Sequence, residues 1–185
     1  LWEGGMSFHG GFLGVLISGI LFGMRKKISL LSLGDLIAFA SPPGLFFGRI
    51  ANFINGELWG KPTTSTFGIQ FTKGHGKFCP SSNEIPCFRH PSQLYEAFFE
   101  GIVLMLIFYY LVFFYKALKK PGIIFGSFLL GYGVIRFSIE FVREPDAIFI
   151  TNENPYGYVV ELFTGIGISM GQLLTIPMII FGLLM

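Results

Sequence analysis

Four polar side chains close a long apolar segment of this chain. They are Arg49, Asn52, Asn55 and Glu57, which fall within nine residues. Arginine at the centre of a membrane-spanning helix costs about 2.5–3.5 kcal/mol, so such groups in a span indicate a functional site. A guanidinium donates paired hydrogen bonds that match a phosphate, and Arg49 therefore suggests anion binding.

A second polar stripe occurs later in the chain. Tyr132, Arg136, Glu140 and Arg143 follow the spacing i, i+4, i+8, i+11, which is one face of a helix. If the helices that carry Arg49 and Arg136 lie side by side, the two arginines form one anion site. At a membrane boundary the abundant anion is a lipid head group.

The composition indicates the element that must hold these residues. Hydrophobic residues make up 52% of the 185 and charged residues 13%, and the mean hydropathy is +0.64. A soluble domain carries about 25% charged residues, so we expect an all-α polytopic membrane protein. No basic face with interleaved aromatic residues is visible, which argues against nucleic-acid binding.

Five apolar stretches predict about five transmembrane helices within one domain, residues 1–185. The stretches cover residues about 10–24, 34–54, 94–115, 123–142 and 162–185. Pro42 and Pro43 fall inside the second stretch and predict a kink or a break there. Residues 58–92 are rich in polar residues, glycine and proline, which predicts a small extracytoplasmic insertion with a short strand near 67–71.

Basic clusters orient these spans. Residues 25–27 (RKK) and the lysines at 116, 119 and 120 flank alternate ends of the spans, so both face one side. By the positive-inside rule that side is the cytoplasm, although Lys61, Arg89 and Arg143 on the other side weaken the bias. The polar loop 143–160 then faces outward with the insertion.

In this orientation, most ionisable groups of the spans lie at a similar depth in the membrane, near its outer face. His9, Arg49 and Arg136 all fall at outer ends of spans, and so do Glu96 and Glu100 at the start of the third span. Asp35 is the exception at the inner end, where residues 32–35 are compatible with a simple helix start. If these polar residues had unrelated structural roles, we would not expect nearly all of them to fall at the outer ends of the spans.

Each residue also has a plain structural interpretation. Arg136 and Glu140 form an ordinary intrahelical ion pair in one view, and Arg49 extends to the interface in another. His9, beside Gly10 and Gly11, is compatible with an interfacial loop. The two asparagines are compatible with helix-to-helix hydrogen bonds.

The ends of the sequence and its two cysteines allow two further interpretations. The sequence begins at Leu1 without methionine and stops inside an apolar run, so we expect a fragment of a longer protein. Cys79 and Cys87 lie in the outward segment, where a disulfide closing a small loop is one interpretation. No histidine spacing supports a zinc site, and a catalytic cysteine is not favoured.

Four segments resemble one family. Residues 48–60 (GRIANFINGELWG) are similar to the signature of bacterial prolipoprotein diacylglyceryl transferase, and 7–11, 89–96 and 132–140 resemble its other motifs in the same order. The resemblance covers essentially the whole chain. It lacks the first part of the family, including an N-terminal tyrosine counted as functional, and the family pattern implies about seven spans. Cys79 and Cys87 are outside that pattern.

The resemblance implies a reaction in the bacterial inner membrane, with the active site on the extracytoplasmic side. A diacylglyceryl group passes from phosphatidylglycerol to the lipobox cysteine in the signal peptide of a prolipoprotein. A thioether forms, glycerol phosphate leaves, and the scheme needs no cofactor or metal. This is the first step of lipoprotein maturation.

Roles follow from the resemblance for nine residues. Arg49 and Arg136 would hold the leaving phosphate, and His9 would be the base for the thiol. Substrate-binding positions implied by the motifs are Asn52, Asn55, Glu57, Gly60, Tyr132 and Glu140, with Glu140 orienting Arg136. The alternatives are an anionic-phospholipid transporter or scramblase and a non-catalytic lipid-binding membrane protein.

Overall fold

The computed structural model describes residues 8–71, 87–145, 149–151, 154, 157–163 and 166–185. Helices make up most of this part of the chain. In order they are α1 (Phe8–Lys26), α2 (Leu30–Asn55), α3 (Ser92–Glu96), a π-helical segment (Ala97–Val103), α4 (Leu104–Phe113), a 3₁₀ turn (Ala117–Lys119), α5 (Ile123–Ile139) and α6 (Met170–Leu184).

The helix α2 continues through Pro42 and Pro43 as one element of 26 residues, so the break that the prolines suggested does not occur. Pro42 is buried against the neighbouring helices, where packing holds the helix together despite the missing N–H groups. Just before the prolines, the Ser41 hydroxyl donates to the Ile37 carbonyl at 2.7 Å. The helix ends at Gly56, whose left-handed φ of 68° closes it.

The third span begins at Ser92 and runs to Phe113, two residues earlier at each end than the sequence suggested. It is not a uniform α-helix, because the seven residues Ala97–Val103 are π-helical. A π-turn inside an α-helix is a common device of functional sites, since it re-aims the side chains of one turn. Sequence periodicity gives no sign of it.

The apolar core lies where α2, α4 and α5 meet. Its fully buried members include Ala38, Leu104, Phe108 and Ile124. The helix α2 packs along the π-helical segment and along α5, and α5 in turn packs along α6. The two helices that carry Arg49 and Arg136 are therefore direct neighbours, as the anion-site hypothesis requires.

Short extended segments join the ends of three helices. Strand β1 (Ile69–Gln70) pairs antiparallel with β2 (Phe88–Arg89), so the predicted strand near 67–71 is present but only two residues long. Isolated bridges join Gly60 to Arg143 and Pro62 to Arg89. Cys87 is disulfide-bonded, and Cys79 lies outside the described residues.

The fifth apolar stretch starts later than predicted. Instead of a span from residue 162, strands β3 (Val160–Phe163) and β4 (Ile166–Ile168) form an antiparallel pair, and α6 begins at Met170. The Ser169 hydroxyl accepts from the Gln172 N–H and the Gln172 side chain accepts from the Ser169 N–H, a capping box that fixes the helix start. Short apolar runs do not distinguish strand from helix, which explains the error. The fourth apolar stretch likewise forms a helix that ends at Ile139 rather than at residue 142.

Two helices within the described residues are long and apolar enough to cross a membrane, Leu30–Asn55 and Ser92–Phe113. The apolar helices α5 and α6 are shorter, at 17 and 15 residues. Large apolar side chains face outward, including Phe47 at 68% exposure and Leu106 at 60%. Such a surface suits lipid rather than water, and the number of five spans stays a prediction.

Candidate active site

Arg49 lies in the last two turns of α2 and reaches two glutamates of the third span. Its Nε is 2.9 Å from Glu96 Oε2, and its Nη2 is 3.3 Å from Glu100 Oε2. Both glutamates are fully buried, whereas the Arg49 side chain keeps 17% exposure. Buried carboxylates require such partners, because an unpaired ion in a low-dielectric interior is strongly unfavourable.

Arg136 reaches the same carboxylate from α5. Its Nη1 is 3.4 Å from Glu96 Oε1 and 2.8 Å from Glu140 Oε2, one turn further along α5. Arg143 adds a longer contact, with Nη1 3.9 Å from Glu140 Oε2. Glu96 therefore bridges Arg49 and Arg136, one guanidinium at each of its two oxygens.

The helix α6 holds Glu140 from the other side. The Ser169 hydroxyl donates to Glu140 Oε1 at 3.0 Å, and Ser169 is the N-cap residue of α6. A carboxylate at a helix N-terminus is favoured by the exposed N–H groups and the helix dipole. Glu140 is thus fixed between α5 and α6, and it fixes Arg136 in turn.

Glu96 and Glu100 lie on either side of the junction at which the third span becomes π-helical. Glu100 Oε1 is buried and accepts no hydrogen bond from the residues that the structure describes. No group of three His, Cys, Asp or Glu side chains in the described ranges is placed to hold a metal ion. The cluster is instead an alternation of guanidinium and carboxylate groups.

Other residues from the α2 signature lie at its exposed end. The Asn55 side chain donates to Glu57 Oε1 at 3.2 Å, and Asn52 is half-buried one turn after Arg49. The Glu57 carbonyl accepts from Gln93 Nε2 at 2.6 Å. Glu96 and Glu100, rather than Glu57, are the charged partners of Arg49 in this structure.

Gly60 and Tyr132, two further predicted substrate-binding residues, contact backbone segments and an aromatic ring respectively. The Gly60 N–H donates to the His90 carbonyl at 2.9 Å, and a Cβ at this position would come within 2.7 Å of Val142 O. Gly60 therefore packs between two backbone segments. Tyr132 is half-buried one turn before Arg136 and stacks on Phe128 with ring centroids 5.5 Å apart.

His9 was predicted to lie near the two arginines, and the structure does not test this prediction. Its backbone lies in the first turn of α1, and its side chain is outside the described part of the chain. Its role as a base therefore stays a prediction.

Comparison with known proteins decides the family. A family model described as prolipoprotein diacylglyceryl transferase matches residues 1–185. The chain belongs to this family.

Three named relatives of this family are phosphatidylglycerol–prolipoprotein diacylglyceryl transferases. Those from Cereibacter sphaeroides and Roseobacter denitrificans are 55% and 49% identical over 183 residues, which is 99% of this chain and 62% of each relative. The protein from Rickettsia felis is 50% identical over 181 residues, 98% of this chain and 61% of the relative. The chain thus spans less than two thirds of the length of these prolipoprotein diacylglyceryl transferases.

The sequence patterns gave no role to Glu96, Glu100 or Ser169. The signal for the first two was present, because two glutamates four residues apart at the start of an apolar helix are costly unless paired. Ser169 gave only the local signal of a capping serine three residues before a glutamine. Its contact with Glu140 depends on tertiary packing, which no local pattern contains.

Proposed function

We propose that this chain carries the catalytic arginines of a phosphatidylglycerol:prolipoprotein diacylglyceryl transferase. Its substrates are phosphatidylglycerol and the lipobox cysteine of a prolipoprotein signal peptide. The names of its relatives contain both phosphatidylglycerol and prolipoprotein. Within this chain, the proposal depends on the arginine cluster.

The observation that carries the proposal is the shared partner of Arg49 and Arg136. Both guanidinium groups lie within 3.4 Å of the one carboxylate of Glu96, so they converge from two helices on the same place. A guanidinium has five N–H donors, and those not directed at glutamates are available to phosphate oxygens. Two converging guanidinium groups form a clamp for one phosphodiester.

The reaction places charge where this clamp lies. The cysteine thiolate attacks the glycerol carbon that bears the phosphate, a C–S bond forms, and the C–O bond to phosphate breaks. The electron pair leaves with the phosphate, and the product is glycerol phosphate. Preorganised donors that stabilise such developing charge lower the barrier by a few kcal/mol each, about 2.7–4 in measured examples. The thiol proton goes to His9 as general base.

The remaining residues orient the substrate and the clamp. Glu96 and Glu140 hold the two guanidinium groups by ion pairs, which removes rotational freedom before the lipid arrives. Asn52, Asn55 and Glu57 lie toward the exposed end of α2 and bind glycerol hydroxyl groups. Tyr132 donates to the phosphate or to a lipid ester.

The site faces the extracytoplasmic side of the bacterial inner membrane in this proposal, within a multi-pass bundle. The basic residues 25–27 lie at the end of α1, close to the start of α2, and Lys116 and Lys120 lie shortly before the start of α5. The starts of α2 and α5 are joined by hydrogen bonds to Asp35, so both basic clusters lie at one end of the bundle. Arg49 and Arg136 lie near the opposite ends of the same helices, which the positive-inside rule assigns to the exterior.

A direct assay tests the proposal. The protein, in membrane vesicles that contain phosphatidylglycerol, is incubated with a lipobox peptide, and mass spectrometry follows the peptide. We expect a mass gain of one diacylglyceryl group on the cysteine and none on a peptide with serine in its place. Absence of the gain in a folded sample would overturn the proposal, and movement of head groups across the bilayer without a gain would instead indicate a lipid transporter or scramblase.

A further inference from the structure

Asp35 joins the starts of two helices. It lies on α2 with 1% exposure, and its side chain accepts hydrogen bonds from the first amides of α5. The Gly122 N–H donates to Oδ2 at 2.7 Å, and the Phe125 N–H donates to Oδ1 at 2.8 Å. Residues 32–35 therefore do not start α2, which begins at Leu30; Asp35 instead caps a helix that is 87 positions away in sequence.

The chemistry of this contact makes it specific. The first N–H groups of an α-helix have no partner within the helix, and a carboxylate is the strongest acceptor for them. A buried carboxylate also needs those donors, since it has no water to bind. Both oxygens of Asp35 are occupied by the start of α5, so the contact fixes the axial position of α5 against α2.

The spacing from this contact to the arginines is the same on both helices. Arg49 follows Asp35 by 14 positions, and Arg136 follows Gly122 by 14 positions. At 1.5 Å per residue, both arginines lie about 21 Å beyond the contact. The two helices run in the same direction, because Asp35 joins their starts and Glu96 joins the two arginines near their ends.

We propose that Asp35 is a positioning residue that sets the register of α5 on α2 and so holds Arg49 and Arg136 at one level. A slip of α5 by one residue would move Arg136 by about 1.5 Å along the axis and rotate it about 100°. Glu96 would then lose one of its two partners. The structural part of this proposal is independent of the proposed function, and only its effect on turnover rests on it.

A distance measurement tests the structural part. Nitroxide labels are attached at Phe47→Cys on α2 and Val134→Cys on α5, two exposed positions that each precede an arginine by two residues. No cysteine of the described residues is free to compete for the label. We expect Asp35→Ala to broaden the label distance distribution or to shift its mean by about 1.5 Å or more. An unchanged distribution in folded protein would overturn the proposal.

Two further variants separate positioning from folding. Ser41→Ala removes a side-chain hydrogen bond from the same helix, but that bond is local to Ile37, so labels and turnover should match the parent protein. Asp35→Asn keeps one acceptor oxygen and should give an intermediate label distribution, with protection of the Gly122 amide against hydrogen exchange partly retained. If Asp35→Ala does not fold, Asp35→Asn decides: parent-like labels and parent-like exchange at Gly122 would overturn the proposal.

Turnover supplies the last readout. We expect the rate of peptide lipidation by folded Asp35→Ala to fall on the order of 10–100-fold, because an arginine displaced by about 1 Å or more no longer matches the phosphate. A parent-like rate together with displaced labels would overturn the link between register and catalysis. If the parent protein itself transfers nothing, the proposed function fails while the label and exchange results still decide the role of Asp35.

Discussion

Gly171 at the start of α6 lies directly against the carboxylate of Glu140 on α5. A Cβ at position 171 would stand 2.6 Å from Glu140 Cδ and Oε1, closer than real Cβ atoms approach other atoms. The absence of a side chain therefore lets Glu140 reach the N-terminus of α6. The same carboxylate holds Arg136 at 2.8 Å, so a methyl group at 171 acts on the clamp through Glu140.

We expect Gly171→Ala to lower the rate of transfer by about 10–100-fold, because the displaced carboxylate no longer holds Arg136 in place. Alanine is the better helix former by about 1 kcal/mol, so helix propensity does not explain a loss. Lipidation of a lipobox peptide measures the effect. Gly44→Ala on α2, where nothing lies within 4 Å of the new Cβ, is the control and should keep the parent rate. A parent-like rate for Gly171→Ala would contradict this relation.

A second close approach joins α2 to the π-helical segment. A Cβ at Gly101 would lie 2.6 Å from Phe46 Cβ and 3.0 Å from Phe46 Cα. Rotation of the Phe46 side chain does not move either atom, so the clash cannot be relieved that way. We expect Gly101→Ala to lower the free energy of unfolding by about 1–3 kcal/mol through overpacking. Denaturant unfolding in detergent measures it, with Gly44→Ala as the matched control. Equal stability of the two variants would show that α2 moves without cost.

Glu96 and Glu100 should differ in importance. Among the residues that the structure describes, Glu96 forms ion pairs with two arginines and Glu100 forms an ion pair with Arg49 alone. Removing one partner of a buried ion pair costs about 3–5 kcal/mol. We expect Glu96→Gln to approach that loss of stability and Glu100→Gln to lose clearly less. Unfolding midpoints and lipidation rates of the two variants give the comparison. The reverse order would show that Glu96 is not the bridge of the cluster.

Arg136→Gln should abolish transfer while leaving the protein in the membrane. Glutamine can still donate hydrogen bonds, but it lacks the positive charge that stabilises the leaving phosphate. Turnover and membrane fractionation are measured together. Arg25→Gln at the exposed end of α1 removes the same charge far from the cluster and should leave turnover unchanged. Full turnover of Arg136→Gln would remove Arg136 from the mechanism.

Two histidines provide a matched test of the general base. We expect His9→Gln to lower the rate by about 10²–10⁴, the usual contribution of a positioned base. His90, whose Nδ1 lies 3.4 Å from Tyr95 Oη, is outside the proposed mechanism, and His90→Gln should stay within a few-fold of the parent rate. A His9→Gln variant with the full rate would assign His9 a structural role.

The sequence predicted the parts of the site that obey local rules. The helical spacing of Arg136 and Glu140 predicts their ion pair, which the structure contains at 2.8 Å. The expectation that Arg49 and Arg136 converge came from depth in the membrane, and their shared contact with Glu96 confirms that they are close.

What the sequence did not predict depends on tertiary packing. The capping of α5 by Asp35 joins residues 87 positions apart, and no local pattern carries such a pairing. The continuity of α2 through Pro42 depends on packing against neighbouring helices. The hairpin of β3 and β4 was mistaken for the start of a span because its apolar residues fit both structures.

In the proposed reaction, the bridge of Glu96 between Arg49 and Arg136 also affects how tightly the lipid phosphate is bound. Arg49, Arg136 and Arg143 contact Glu96, Glu100 and Glu140, so the formal charges of this cluster already sum to zero. An incoming phosphate must compete with carboxylates that the protein itself supplies. In the proposed reaction those carboxylates would compete with every anion for the guanidinium groups, the product included. The same competition would return the arginines to their starting partners once glycerol phosphate has left.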